Sequence, residues 1–306
     1  VIKKEEKSES ITSLNGDHFD TASFEFASYY ERTPKDYEFF QPFSDGSLVM
    51  YTGHYNACPS NMECDEPIEF TFQGRTTDNI VILGKVNAAK SQWIDQTWRG
   101  TYVYFGKIIP LEKKYLTAII DPAIPSWLKN KFHEVLPKIF DLYTKETGFP
   151  LTFKPFVFLS YTPKGLGSQR TGGTLPGLIQ MSLSGKGWEK ENKNAYVELA
   201  RFFAHEGAHL WNGQLFHSSS GDMWMHEGGA DAFAYFALYK LGLVDQQGFS
   251  DLQSGAYTNC VSKLKNRPLK EVLEDPEFRA HYSCGAMAAL ITHVAVKKKN
   301  KTQGLF

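Results

Sequence analysis

The 306-residue chain is poor in several features that would place it quickly. It has no run approaching the roughly 18 uninterrupted apolar residues needed to cross a bilayer, so no transmembrane segment is expected. It has almost no net charge, -1 at pH 7, and so no electrostatic reason to expect nucleic acid or an anionic membrane as a partner. It has four cysteines, Cys58, Cys64, Cys260 and Cys284. None stands in a C-x-x-C pair, which argues against a thiolate metal site or a redox motif. It has no internal repeat and no long low-complexity segment.

The cysteines bear on compartment. Cys58 and Cys64 flank a turn containing Pro59, Ser60 and Asn61. A local disulfide fits there and points to an oxidising, periplasmic or extracellular location. Four reduced, buried thiols in a cytoplasmic protein are the alternative. The first residues, VIKKEEKSES, are not a signal peptide. They fit a remnant left after one is removed and an arbitrary boundary equally well.

What the chain does have is apolar and aromatic mass, 42% and 14% of its residues, enough for a sizeable core. The patterning falls into two parts. From about residue 20 to 110 the segments 23–26, 47–55, 68–74, 79–86 and 100–106 are short, rich in β-branched or aromatic residues, and bounded by Gly, Asp or Pro. They read as an all-β domain, residues 1–110. After Pro110 the pattern changes. Strands are expected at 115–120, 155–161 and 178–183. Between the first two, Trp127, Leu128, Phe132, Val135, Leu136, Ile139 and Leu142 recur at helical spacing after Pro125, and Gly148 ends that helix. A Gly-rich segment covers 165–177. Beyond Asn192 the chain reads as helices joined by loops, with the Lys297–Lys299 run at a solvated helix end. Strands followed by helices make residues 111–306 an α+β domain with antiparallel or mixed pairing.

The chemistry concentrates in two of those helices. The segment 195–216 contains His205-Glu206-Gly207-Ala208-His209. Residues four apart on a helix share a face, about 6 Å apart along the axis, so both imidazoles can reach one ion. Glu206 is offset enough to miss that ion while touching a water beside it, which is the logic of the H-E-x-x-H motif. The next helix, 221–242, carries Glu227 among small and apolar residues. A carboxylate there is costly to bury without a partner, and a zinc ion is a suitable one. Gly228, Gly229 and Ala230 would allow close approach to the first helix. Asp231, one turn on, can accept the free N–H of a ligand histidine; a solvated helix carboxylate is its bland alternative. His205, His209 and Glu227 would leave one coordination position open, the catalytic arrangement. His217, His226 and His281 read as neighbours and not as a fourth ligand.

These residues resemble the gluzincin group, and within it the aminopeptidase-N-like zinc metallopeptidases. That family places its third ligand in an N-E-G-F-A-like helix start, and Met225-His226-Glu227-Gly228-Gly229-Ala230 corresponds. The family separates its second histidine from that glutamate by eighteen residues; this chain has seventeen, Leu210 through His226. The resemblance covers about 115 to 295 and implies a thermolysin-like catalytic domain; with no counterpart expected of the family's helical C-terminal domain, the chain reads as a short family member or a fragment. It implies one zinc ion, a peptide or protein substrate, and hydrolysis of a peptide bond with Glu206 as general base. It gives Tyr282, in a run similar to the family's Y-E-K-G, the role of oxyanion donor. A packed structural tyrosine is the alternative there, and Tyr257 a rival. It also makes TLPGLIQMSL similar to the edge strand that aligns substrate backbone, with Gly173, Thr174, Gly177 and Leu178 as contacts. No acid stands where the family's G-x-M-E-N motif holds the substrate amine, so exo- and endo-cleavage both stay open. Arg170, beside that strand, reads either as a substrate-carboxylate contact or as an exposed arginine. A non-peptide hydrolase at the same zinc, or a metal-retaining peptide-binding protein without turnover, are the other functions considered.

Overall fold

The structure is a computed structural model that describes residues 2–4, 9–19, 21–23, 25, 37–58, 66–213, 223–268, 271 and 280–299. Strands and helices are mixed along the chain, with the strands early and the helices late. Of the strand expected at 23–26, Ser23 and Glu25 are described and are not in a strand; its other two residues, and the histidine at 217, lie outside the described residues.

A small ribbon at the start pairs β1 (Ile2–Lys4) with β2 (Glu9–Ile11). Three layers then account for the β structure that follows. The outermost is a two-stranded antiparallel ribbon of β5 (Ile68–Gln73) and β8 (Lys90–Asp95). Next is a five-stranded antiparallel sheet ordered β3 (Phe40–Pro42), β4 (Leu48–Tyr51), β9 (Tyr102–Gly106), β6 (Asn79–Ile82) and β7 (Lys85–Asn87). The third layer is a five-stranded mixed sheet ordered β10 (Leu111–Glu112), β11 (Thr117–Ile120), β12 (Phe156–Thr162), β14 (Leu178–Ser184) and β13 (Gln169–Leu175). Its centre is parallel, β11 to β12 to β14, and its two edges are antiparallel.

Strand alternation explains the stacking, because successive side chains point to opposite faces. In the middle sheet Met50, Ile80, Ile82 and Val103 pack with Phe72 of the outer ribbon. Val49, Tyr51, Val81, Tyr102 and Tyr104 point the other way, onto Ile119, Phe156, Phe158 and Leu178 of the third sheet. The opposite face of that third sheet, through Ala118, Val157, Leu159, Ile179, Met181 and Leu183, meets the helices. A sheet covered on both sides reads as near-continuous apolar runs, as FVFL at the start of β12 does. Asp121, fully buried, joins the two sheets. It accepts the backbone N–H groups of Ser44, Ala123 and Tyr161 at 3.0, 2.9 and 3.2 Å and the Ser44 hydroxyl.

Five helices are described: α1 (Ser126–Thr147), α2 (Lys193–Asn212), α3 (Met223–Lys240), α4 (Gln246–Leu264) and α5 (Ala280–Lys299). Helix α1 starts immediately after Pro125 and ends on Gly148 in the left-handed region, φ 72°, where a side chain would be strained. Asn192 caps α2 by accepting the Ala195 N–H. Two long-range bonds hold α2 in the core: the Tyr143 hydroxyl donates to Ala204 O at 2.9 Å, and Trp211 Nε1 donates to Phe149 O at 2.7 Å. Cys260 of α4 is disulfide-bonded to Cys284 of α5. Cys58 is also disulfide-bonded, and its expected partner at position 64 lies outside the described residues. None of the described helices is long and apolar enough to cross a membrane.

Three local expectations are corrected. The run 79–86 is two strands, split by a turn at Leu83 and Gly84 with φ 46° and 76°. The strand expected over 47–55 stops at Tyr51 and continues as a 3-10 turn, Thr52–Tyr55. The Gly-rich segment contains a full edge strand, β13, despite the poor strand propensity of glycine. Pairing along the whole of β14 outweighs that propensity. Gly172 is required there, because a side chain would collide with the Gln180 carbonyl of β14.

Candidate metal centre

His205 and His209 lie one turn apart in the buried C-terminal half of α2, and Glu227 lies near the start of α3. Their ligand atoms converge within 4.8 Å of one another. His205 Nε2 is 3.1 Å from His209 Nε2 and 3.2 Å from Glu227 Oε2, and His209 Nε2 is 3.5 Å from Glu227 Oε2. A tetrahedral zinc with bonds of about 2.0–2.1 Å would set its ligands about 3.3–3.4 Å apart. The triangle is of that size.

The donor set is also chemically incomplete without a cation. His205 Nδ1 is 3.0 Å from Asp231 Oδ1. A carboxylate only accepts, so Nδ1 carries a proton, and whenever the ring is neutral its Nε2 lone pair points toward Glu227 and His209. Lone pairs and a carboxylate then face one another in a buried place. Burial works against an imidazolium at His205, but the hydrogen bonds to Asp231 and Glu227 outweigh it and raise its pKa to about 10. Burial likewise opposes charge on Glu227, yet hydrogen bonds from His205, His209 and His226 hold it well below the usual carboxylate range. Either a proton or a metal ion must fill this space. The residues fit a zinc ion.

The surroundings come from four elements. Glu206, buried, lies on α2 with Oε2 2.8 Å from the Thr174 hydroxyl of β13. Tyr282 of α5 stacks on His205, ring centroids 5.8 Å apart. His226 stacks on His209 at 4.2 Å, with Nδ1 3.5 Å from Glu227 Oε1. His281 packs beside the Tyr282 ring. Tyr257 is exposed on α4 and makes no ring contact with these residues.

The glycines after Glu227 divide their work differently from the expectation. Gly229 does meet α2, at the Asn212 side chain. Gly228 instead meets Gly285 of α5, backbone against backbone. That contact sets α5 close to α3 and brings Tyr282 to the centre. The strand expected to align substrate is corrected too. The edge strand is β13, which holds Gly173 and Thr174. Gly177 forms the turn after it, φ 75°, and Leu178 opens the interior strand β14. Leu178 is 2% exposed in the core between the sheets, because β14 is paired on both sides.

Sequence reasoning passed over Glu198 and Arg201. Glu198 Oε2 accepts from Arg170 at 3.0 Å and from Arg201 at 3.2 Å, and Arg201 Nη1 is 3.5 Å from Asp231 Oδ1. Arg170 is therefore engaged in an ion pair. The available signal was a charged pair three apart, seven and four residues before His205, in a helix otherwise turned inward.

No protein-family model matches the chain, and no curated protein matches it by sequence. Solved structures do match. An aminopeptidase N family protein from Idiomarina loihiensis superposes with a TM-score of 0.63 at 13% identity, over 83% of this chain and 50% of that one. Native yeast LTA4 hydrolase superposes with a TM-score of 0.51 at 12% identity, over 81% and 42%. The fold is shared. This chain spans about half the length of the first and less of the second.

Proposed function

We propose that this chain is a zinc-dependent hydrolase of peptide bonds, with an N-terminal β-rich domain over 1–110 and a thermolysin-like catalytic domain over 111–306. The observation that carries the reading is the convergence of His205, His209 and Glu227, with Glu206 beside them and Asp231 behind His205. These three residues would hold the zinc. The ion would polarise a substrate carbonyl and make water more acidic, as a Lewis acid does. Glu206 takes the proton from the attacking water and delivers it to the leaving amine. The Tyr282 phenol donates to the oxygen on which negative charge develops. The outer edge of β13, at Gly173 and Thr174, aligns the substrate backbone as an added strand. The disulfides at Cys58 and between Cys260 and Cys284 support a periplasmic or extracellular setting.

The test is a mixed peptide library digested with and without a chelator and read by mass spectrometry, with Glu206→Gln alongside. A hydrolase gives chelator-sensitive cleavage, and E206Q retains zinc while turnover falls on the order of 10²–10⁴-fold. Zinc retention with no cleavage by the native protein would favour the metal-holding binding module. Products shortened from one end, or cut internally, decide between exo- and endo-cleavage.

A further inference from the structure

Strand β13 and helix α2 are pinned together at two points. Arg170 donates to Glu198, and the Thr174 hydroxyl lies 2.8 Å from both the backbone carbonyl and the Oε2 of Glu206. The two contacts are in step. Four residues of strand span about 13 Å, and eight residues of helix about 12 Å. Arg170 and Thr174 are on the same face of the strand, so the edge strand lies along α2 with its register set.

A hydroxyl has one proton to give. The Glu206 carbonyl sits inside a continuous helix, where the amide four residues on is its natural partner. The carboxylate is the stronger acceptor, because a hydrogen bond to a charged group is shorter and stronger than one to a neutral carbonyl. Among the described residues Glu206 Oε1 has no hydrogen-bond partner. One oxygen is thus tied back to the strand and the other is left for chemistry.

We infer that Thr174 is a positioning residue for Glu206: its hydroxyl holds the carboxylate in one orientation and leaves the second oxygen facing the centre. This rests on the reading of Glu206 as the general base. It differs from a direct substrate contact through the Thr174 side chain, since that side chain is already spent on α2.

Thr174→Val keeps shape and removes the hydroxyl; Thr174→Ser keeps the hydroxyl. In metal-free protein labelled at glutamate carboxyl carbons, with the Glu206 signal assigned through E206Q, T174V shifts that signal at constant pH and T174S leaves it near its native place. No shift in T174V overturns the inference. Zinc affinity, measured by competition with a chelator, stays within a fewfold in both variants. On a peptide that the native protein cleaves, T174V lowers kcat on the order of tenfold or more with KM little changed, and T174S restores it. A raised KM with kcat unchanged would make Thr174 a substrate contact and overturn the inference. If E206Q itself turns over like the native protein, the general-base reading fails, whatever Thr174 does.

Discussion

The Nδ1–H of His205 is donated to Asp231 at 3.0 Å, and the opposite ring nitrogen faces Glu227 at 3.2 Å. One hydrogen bond therefore decides which face of the imidazole can serve as a ligand. Arg201 in turn lies 3.5 Å from the same Asp231 oxygen and is tied to Glu198. The carboxylate that orients His205 is itself oriented. Asp231→Asn removes the charge and should lower zinc affinity by about 10–100-fold while the fold persists. Chelator competition measures the affinity, and circular dichroism checks the fold. Unchanged affinity would make Asp231 a bystander.

Acid should release the metal. In the metal-free protein the two carboxylates hold a proton on His205, with a pKa raised to about 10. Below that pH a metal ion must displace the proton to bind, and the competition sharpens as pH falls. Zinc affinity should therefore rise with pH across the neutral range and level off near pH 10. Calorimetry in buffers of different ionisation enthalpy would count the protons released. None released at pH 7 would contradict this account of His205.

Tyr282 stacks on the His205 ring, so its packing and its phenol can be separated. Tyr282→Phe keeps the stacking and loses the donor. Zinc content should match the native protein, and kcat should fall about 10²–10³-fold, the usual loss when one oxyanion donor is removed. Single-turnover kinetics on a cleaved peptide gives the comparison.

Gly228 and Gly285 meet backbone to backbone. A methyl group on Gly228 has nowhere to go, so Gly228→Ala must push α5 from α3. The expected loss is about 1–3 kcal/mol of stability, read by thermal or urea denaturation, and Tyr282 moves off His205. Gly255 of α4 is the control. Nothing lies within 4 Å of its added Cβ, so Gly255→Ala should be neutral or stabilising by up to about 1 kcal/mol. Equal effects at the two positions would show that the close approach is not needed.

Much of this was legible from local pattern. The helical spacing of His205 and His209 is enough to put both imidazoles on one face, and Glu227 stands out as a carboxylate in a helix of small residues. The α1 helix could be read between Pro125 and Gly148 because both ends carry backbone-specific residues. β13 could not. Its glycines lower its own strand propensity, and only the partner strand β14 makes it a strand. The same applies to Leu178, which a contiguous reading put on the edge and the sheet order puts in the interior. Glu198 and Arg201 are a common surface pattern until Arg170 and Asp231 arrive from other elements.

From the amino-acid order come the candidate ligands and the spacing of the two histidines, because that spacing depends on one helix turn. Tertiary structure alone decided that Thr174 reaches Glu206, that Gly228 admits α5, and that Cys260 is bonded to Cys284. Each of these depends on where separate elements come to rest against one another, and the packing of the whole core sets those distances, with no local preference to announce them.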